Sequence, residues 1–262
     1  MINDMNLGLS DLIEGIKKWR IWFLLGWQDI KMRYRRSFLG PFWITISMAV
    51  MIYTMGFLYA KLFKIELTNY FPFLAAGILI WNLISTSIIE MTNAFIESTG
   101  FIRQIKLPFT VYILRTLTRN FIVFIHNALA ILPILIYYQS HFLPLHFLMS
   151  FLIFAFWIFS FGMLFAMLGA RYRDIRPIMT SIIQLVIFVT PIMWRPDMIP
   201  EKYSFAINYN PFYHLIEIMR APLIGLLPPI VSLTFTMISA ACASFLMLIL
   251  FFRFRRYIPF WV

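Results

Sequence analysis

The feature that most constrains this chain is a series of long apolar runs separated by short polar turns, most of them basic. A helix needs about 20 apolar residues to cross the hydrocarbon layer of a bilayer. Reading the runs between charges places spans at about 40–60, 70–91, 114–138, 146–170, 178–194 and 228–252. The fifth is the shortest and lies between Pro177 and Pro191. With 61% hydrophobic and only 13% charged residues, the chain cannot hide its apolar surface in one aqueous core. The fold expected is all-α: a polytopic membrane protein of about six transmembrane helices, with both termini on one side of the membrane.

A net charge of +11 would point to nucleic acid in a soluble protein, but in a membrane protein the position of the cations decides its meaning. Seven lie before the first span (Lys17, Lys18, Arg20, Lys31, Arg33, Arg35, Arg36) and four around the second connection (Arg103, Lys106, Arg115, Arg119). Three more fall in Arg171–Arg176 and three in Arg253–Arg256, seventeen on one side in all. The other side holds five: Lys61, Lys64, Arg195, Lys202 and Arg220. The positive-inside rule therefore puts both termini in the cytoplasm, and topology accounts for most of the basic excess. No nucleic-acid partner is expected.

Residues 10–31 carry Leu12, Ile16, Trp19, Phe23 and Ile30 at helical spacing, with Lys17, Lys18, Arg20 and Lys31 among them. Gly26 and Asp29 make this a poor span. It reads as an amphipathic helix in the cytoplasmic interface, with Trp19, Trp22 and Trp27 at headgroup level. The organisation expected is an interface segment at 1–39, a transmembrane domain at 40–252 and a cytoplasmic tail at 253–262. The opening residues lack the pattern of a cleaved secretory signal, so the N-terminus is expected to be retained. Cys242 is alone in an apolar run, which leaves no internal disulfide and no cysteine metal cluster.

Several kinds of chemistry lack their residues. There is no G-x-x-x-x-G-K-[ST] loop for ATP phosphates, no H-E-x-x-H, no G-x-S-x-G and no paired cysteine motif. His126, His141, His146 and His214 are scattered over different segments. The chain is expected not to be an enzyme and to carry no cofactor or metal. Ion-coupled transport leaves ionisable groups at mid-membrane, whereas here the acids gather at span ends, with Glu90 the only one farther in.

Four stretches carry a resemblance. Lys31–Trp43 (KMRYRRSFLGPFW) is a basic run that turns into the first span at Gly40-Pro41. Asn93–Pro108 (NAFIESTGFIRQIKLP) joins the second and third spans and is polar with an apolar face. Arg171–Pro177 (RYRDIRP) is the turn between the fourth and fifth spans, where Asp174 can pair with a neighbouring arginine and Pro177 can open the next helix. Asn208–Pro222 (NYNPFYHLIEIMRAP) offers Asn210 as a helix cap, Pro211 at the first position and Pro222 as the stop of a helix too short to span. On residues alone the first and third read more simply as topology anchors, while the second and fourth fit interfacial packing and a surface hairpin as well as a functional role. In order and spacing, however, the four resemble the permease subunits of polysaccharide-exporting ABC transporters of the ABC-2 type.

That resemblance implies a permease that pairs with itself and binds two copies of a separate ATP-binding cassette subunit, on which ATP and Mg act. It implies a lipid-linked polysaccharide of the O-antigen, capsule or teichoic acid type as cargo, moved across the bacterial plasma (inner) membrane. Within it, Phe101, Ile102 and Arg103, with Arg171, Arg173 and Asp174, are expected to dock the ATPase. Arg33, Arg35 and Arg36 lie where a lipid headgroup enters, and Asn210, Pro211, Tyr213 and Arg220 belong to short external helices, between spans five and six, that close the outer end of the pathway. Trp43, Tyr53 and Phe57 on the first span can stack on sugar rings, although interface belts and lipid contact also explain such residues. Arg115, Arg119 and His126 share a helical face, as do Glu90 and Glu97, so ion pairs between the second and third spans are expected to hold the bundle. The alternatives are an ABC-2 type exporter of a drug or another lipid, and an ion-coupled secondary transporter.

Overall fold

A computed structural model describes residues 2–262, with side chains from Met5 onward except that of Asn69. Among the described residues the chain is all helix and connection, with no strand. Two helices come first, α1 (Ile2–Lys17) and α2 (Trp19–Arg33), separated where Lys18 leaves helical geometry. The single interface helix expected is therefore two. Leu12 and Ile30 turn inward while Ile16, Trp19 and Phe23 stay about half exposed, as suits elements lying along a surface of the bundle.

The long helices follow: α3 (Phe42–Phe63), α4 (Leu67–Met91), α7 (Phe109–Tyr137), α8 (Pro144–Arg171) and α12 (Ile230–Phe254). Among the described residues, five helices are long and apolar enough to cross a membrane. Between α4 and α7 lie two short helices, α5 (Ala94–Glu97) and α6 (Thr99–Gln104), so the Asn93–Pro108 connection bends at Ser98. Helix α9 (Ile175–Val189) occupies the expected fifth span, and α10 (Phe205–Asn208), α11 (Pro211–Leu223) and α13 (Ile258–Trp261) complete the chain.

Helix α4 is the central post. In its most apolar stretch 72% of residues are buried inside the protein, against 22% in α3, so α3 spends its apolar surface on lipid or another chain. Polar side chains join α4 to α7 across the bundle. Asn127 Nδ2 donates to Asn82 Oδ1 at 3.0 Å and Asn120 Nδ2 to Ser87 Oγ at 3.3 Å. Such pairs hold helices together where no hydrophobic force acts between them.

The fifth span departs from expectation at its end, stopping as helix at Val189 instead of continuing to 194. Its 15 residues rise about 22 Å, short of a hydrocarbon core about 30 Å thick. Pro191 explains the stop: the residue before proline is pushed out of the helical region, and Thr190 sits at φ −93°, ψ 132°. Backbone freed at such depth must find partners inside the protein. Thr190, Pro191 and Ile192 are all buried, and their partners form part of the candidate site.

Candidate functional site

One end of the bundle gathers most of the basic residues. Helix α7 begins there at Pro108-Phe109, a start with no capping side chain of its own. The buried Asp11 of α1 supplies the acceptor: its carboxylate takes the backbone N–H of Phe109 at 3.0 Å and of Thr110 at 3.1 Å, plus the Thr110 hydroxyl at 2.9 Å. Arg255, beyond α12, donates to the same carboxylate at 2.9 Å. The approach is close because Gly15 has no side chain; a Cβ there would lie 2.5 Å from Thr110 Cβ.

Further along, α2 presses on α7 at Gly26, where a Cβ would meet the Arg115 carbonyl oxygen at 2.9 Å. That contact delivers Asp29 to two arginines. Arg115 grips it with both Nε (2.8 Å) and Nη2 (2.6 Å), and Arg119 reaches it at 3.4 Å. Arg119 also meets Glu90 at 3.0 Å and Glu97 at 3.3 Å, and Arg33 meets Glu90 at 3.1 Å. Three acids and three arginines thus bind the interface helix α2, the post α4, the connecting helix α5 and α7 into one unit. The expected pairing of Arg119 with Glu90 and Glu97 forms. Asp29, its third partner, was legible only as a residue unfit for a span, and Asp11 left no sign beyond an α7 start that lacks a cap.

Arg33 ends α2, and Arg35 and Arg36 follow in the turn before α3; all three are exposed, and Arg36 adopts φ 71° and Gly40 φ 57°. Between them Tyr34 lies against Glu90, and burial pushes its phenol above its ordinary pKa, with Glu90 adding and Arg33 opposing. Of the expected docking residues, Phe101 and Ile102 are half-buried against the chain's own core, and Phe101 carries the Arg115 guanidinium 5.4 Å from its ring centre. Arg103 is exposed and donates to the Val262 carbonyl oxygen at 2.7 Å. The exposed apolar side chain of this connection is Ile105, at 49%. Arg173 and Asp174 are exposed, and among the described residues the pair that Asp174 can make with a neighbouring arginine does not form. It starts α9 as its N-cap residue without a side-chain cap. Arg171 turns to Tyr172 and Trp261.

On α3, Trp43 and Phe57 are exposed at 53% and 50%, whereas Tyr53 is half-buried and meets Phe71 edge-on at 5.5 Å. Phe57 meets the same Phe71 at 5.4 Å.

At the opposite end, α11 clamps the extended residues after α9. Asn210 caps α11 as expected, accepting from Phe212 N at 2.9 Å and Tyr213 N at 3.3 Å, with Pro211 at the first position. Its amide nitrogen meanwhile donates to Thr190 Oγ1 at 3.0 Å. Arg220 is fully buried: Nη1 donates to the Pro191 carbonyl oxygen at 3.0 Å, Nε to Glu217 at 3.1 Å, and its guanidinium lies 3.7 Å from the Phe73 ring centre. The Tyr70 hydroxyl donates to the Met193 carbonyl oxygen. Tyr213 lies beside this pair, and burial, aided by Glu217, raises its phenol against the pull of Arg220. His214, which the sequence did not single out, is buried with Nε2 2.8 Å from the Asn208 carbonyl oxygen and Nδ1 2.9 Å from Ser232 Oγ. Facing a carbonyl, Nε2 must carry hydrogen. Helix α11 runs one residue past Pro222, which was expected to stop it, to Leu223.

The side chains described link helices to one another at both ends of the bundle. Comparison with known proteins gives the family. The family profile of the ABC-2 type transporter matches residues 20–224. Among curated relatives, two proteins named O-antigen export system permease protein RfbA, both from Klebsiella pneumoniae, are 27% and 28% identical over 192 residues, covering 72% of this chain and 74% of theirs. A protein of the same name from Myxococcus xanthus is 22% identical over 200 residues, 74% of this chain and 76% of its own. With spans, basic end and matched residues coinciding, the chain belongs to the ABC-2 type transporter family and is a multi-pass membrane protein with a transport role.

Proposed function

We propose that this chain is the membrane-spanning subunit of an exporter that moves a lipid-linked polysaccharide across the bacterial plasma membrane, working as a pair of copies with two copies of a separate ATP-binding subunit. The observation that carries this reading is the relation to O-antigen export permeases along nearly three quarters of both chains. The basic end faces the cytoplasm, in keeping with its share of the cations. There α6, with Phe101, Ile102, Arg103 and the exposed Ile105, forms the docking face for the ATP-binding subunit, and Arg173 and Asp174 form its rim. Movement of α6 reaches the spans through Glu97 and Arg119, which tie the connection to α7 and α4.

Arg33, Arg35 and Arg36 offer planar, multi-donor contacts to the phosphates of the lipid carrier where it enters. Trp43 and Phe57 face outward from α3, the least buried of the five long apolar helices, and line the pathway between the two copies. At the outer end, Asn210 and Arg220 hold the residues after α9, so α11 and α9 open and close together. Ion coupling is disfavoured by the pairing of acids: among the described residues Asp11, Asp29, Glu90 and Glu217, the most buried carboxylates, all face arginines. None is free to carry a proton or sodium ion across.

Purification of the tagged chain from its native host tests the reading. An ATP-binding subunit and a glycolipid should come with it. A chain that purifies without either, and moves a small solute on a proton gradient, would refute it.

A further inference from the structure

Helices α8 and α12 leave a groove between them at the basic end, with a cavity of about 480 Å³. Phe161, Phe165, Leu168, Leu246 and Leu250 wall it. Leu168 and Leu246 are 43% and 48% exposed, so the slot opens along two spanning helices, where hydrocarbon is the solvent. Its mouth is different in kind. Arg171 stands there with its guanidinium 5.3 Å from the Tyr172 ring centre and 5.4 Å from that of Trp261. Its Nε donates to the Tyr172 hydroxyl at 2.9 Å, and among the described residues its two Nη groups have no acceptor. Tyr257 stacks on Trp261 at 14° between ring planes, which closes an aromatic collar, and Arg253 adds a second cation in the last turn of α12.

An apolar slot topped by a positioned guanidinium with two unused donor groups, within a ring of Tyr and Trp, is complementary to one kind of amphiphile. Hydrocarbon fills the slot, an anionic phosphate takes the Nη donors, and the collar lies at headgroup level. We propose that this groove binds an anionic phospholipid from the leaflet at the basic end, with one acyl chain between α8 and α12 and its phosphate on Arg171. A zwitterionic lipid brings the same phosphate together with an ammonium group, which the nearby arginines repel. An occupied groove also steadies the docking face, because Trp261 adjoins Val262, whose carbonyl oxygen accepts from Arg103 of α6. The site rests on the spanning fold and does not depend on the cargo.

The test uses the full chain in phosphatidylcholine nanodiscs with a trace of phosphatidylglycerol bearing a diazirine on its acyl chain. After irradiation, labelled peptides are mapped by mass spectrometry. Label should concentrate in Phe161–Leu168 and Leu246–Phe254, and unlabelled phosphatidylglycerol should compete better than phosphatidylcholine by roughly fivefold for each basic side chain that acts on its net negative charge. Arg171→Gln should lower that labelling about tenfold. Leu246→Trp, which fills the slot and leaves Arg171 in place, should do the same. Label spread evenly over all lipid-facing helices, equal competition by the two lipids, or both variants labelling like the parent would overturn the site. Label that disappears when the ATP-binding subunit is added would make the groove a protein-docking surface instead.

Discussion

Arg220 on α11 donates to the carbonyl oxygen of Pro191 at 3.0 Å, so a fully buried side chain completes a span that the backbone leaves unfinished. The same guanidinium neutralises Glu217. Removing it strands both a buried carboxylate and a freed carbonyl.

Arg220→Ala should therefore destabilise the protein by about 3–5 kcal/mol, the usual cost of breaking a buried pair from one side. Glu217→Ala added to it should restore much of the loss, since no uncompensated charge then remains. Thermal unfolding of the parent and these two variants in nanodiscs measures this. A double variant no more stable than Arg220→Ala would place the effect in the Pro191 contact alone.

Asp29 is the acid that α2 contributes to the arginines of α7, with Arg115 holding both its oxygens. Asp29→Ala should free the N-terminal helices from the bundle, and trypsin should then cut at Arg20 and Lys31 much faster than in the parent. Asp29→Glu keeps the charge and should stay protected for the most part. Equal cleavage of parent and Asp29→Ala would mean that α1 and its Asp11 cap suffice to hold the segment.

These two sites differ in how much of each was legible in the sequence. The Asn210-Pro211 cap is local, so two adjacent residues announce it, and Arg119 with Glu90 and Glu97 follows from which residues share a helical face. Asp29 and Asp11 reach partners 86 and 98 residues away, and nothing in their neighbourhoods names those partners. The stop of α9 was readable in Pro191, yet the apolar run continues through Ile192, Met193 and Trp194, and hydrophobicity concealed the break. The half-burial of Phe101 and Ile102 was likewise hidden, because an apolar face serves the chain's own core and a partner's groove alike.

Orientation is checked by single cysteines in a Cys242→Ser background. Gly100 is the best probe of the α5–α6 connection, because it is exposed and a Cβ there has nothing within 4 Å. Cysteines at Gly100, Tyr172 and Arg256 should resist an impermeant reagent in intact cells, while those at Thr68, His141 and Glu201 should react. Reaction at Gly100 would reverse the topology.

Docking is tested on α6. Phe101 and Ile102 changed together to Ser should cost about 2–4 kcal/mol of partner binding and lower co-purification of the ATP-binding subunit at least about tenfold. Both residues also pack inside the chain, so insertion and thermal stability must be followed in parallel. Ile105→Ser touches only the exposed face and should weaken the partner without lowering stability. Full retention of the partner by both variants would move docking to the Arg171–Arg176 turn.

On the proposed function, this chain conducts a lipid-linked polysaccharide when a separate subunit hydrolyses ATP. Proteoliposomes holding the chain, its ATP-binding subunit and a glycolipid with a labelled glycan measure this directly, by the access of an added glycosidase to the label. ATP should change the fraction of glycan open to the enzyme, and omitting either protein should abolish the change. A fraction that ignores ATP, or that shifts with a proton gradient in the absence of the ATP-binding subunit, would rule out ATP-driven export through this chain.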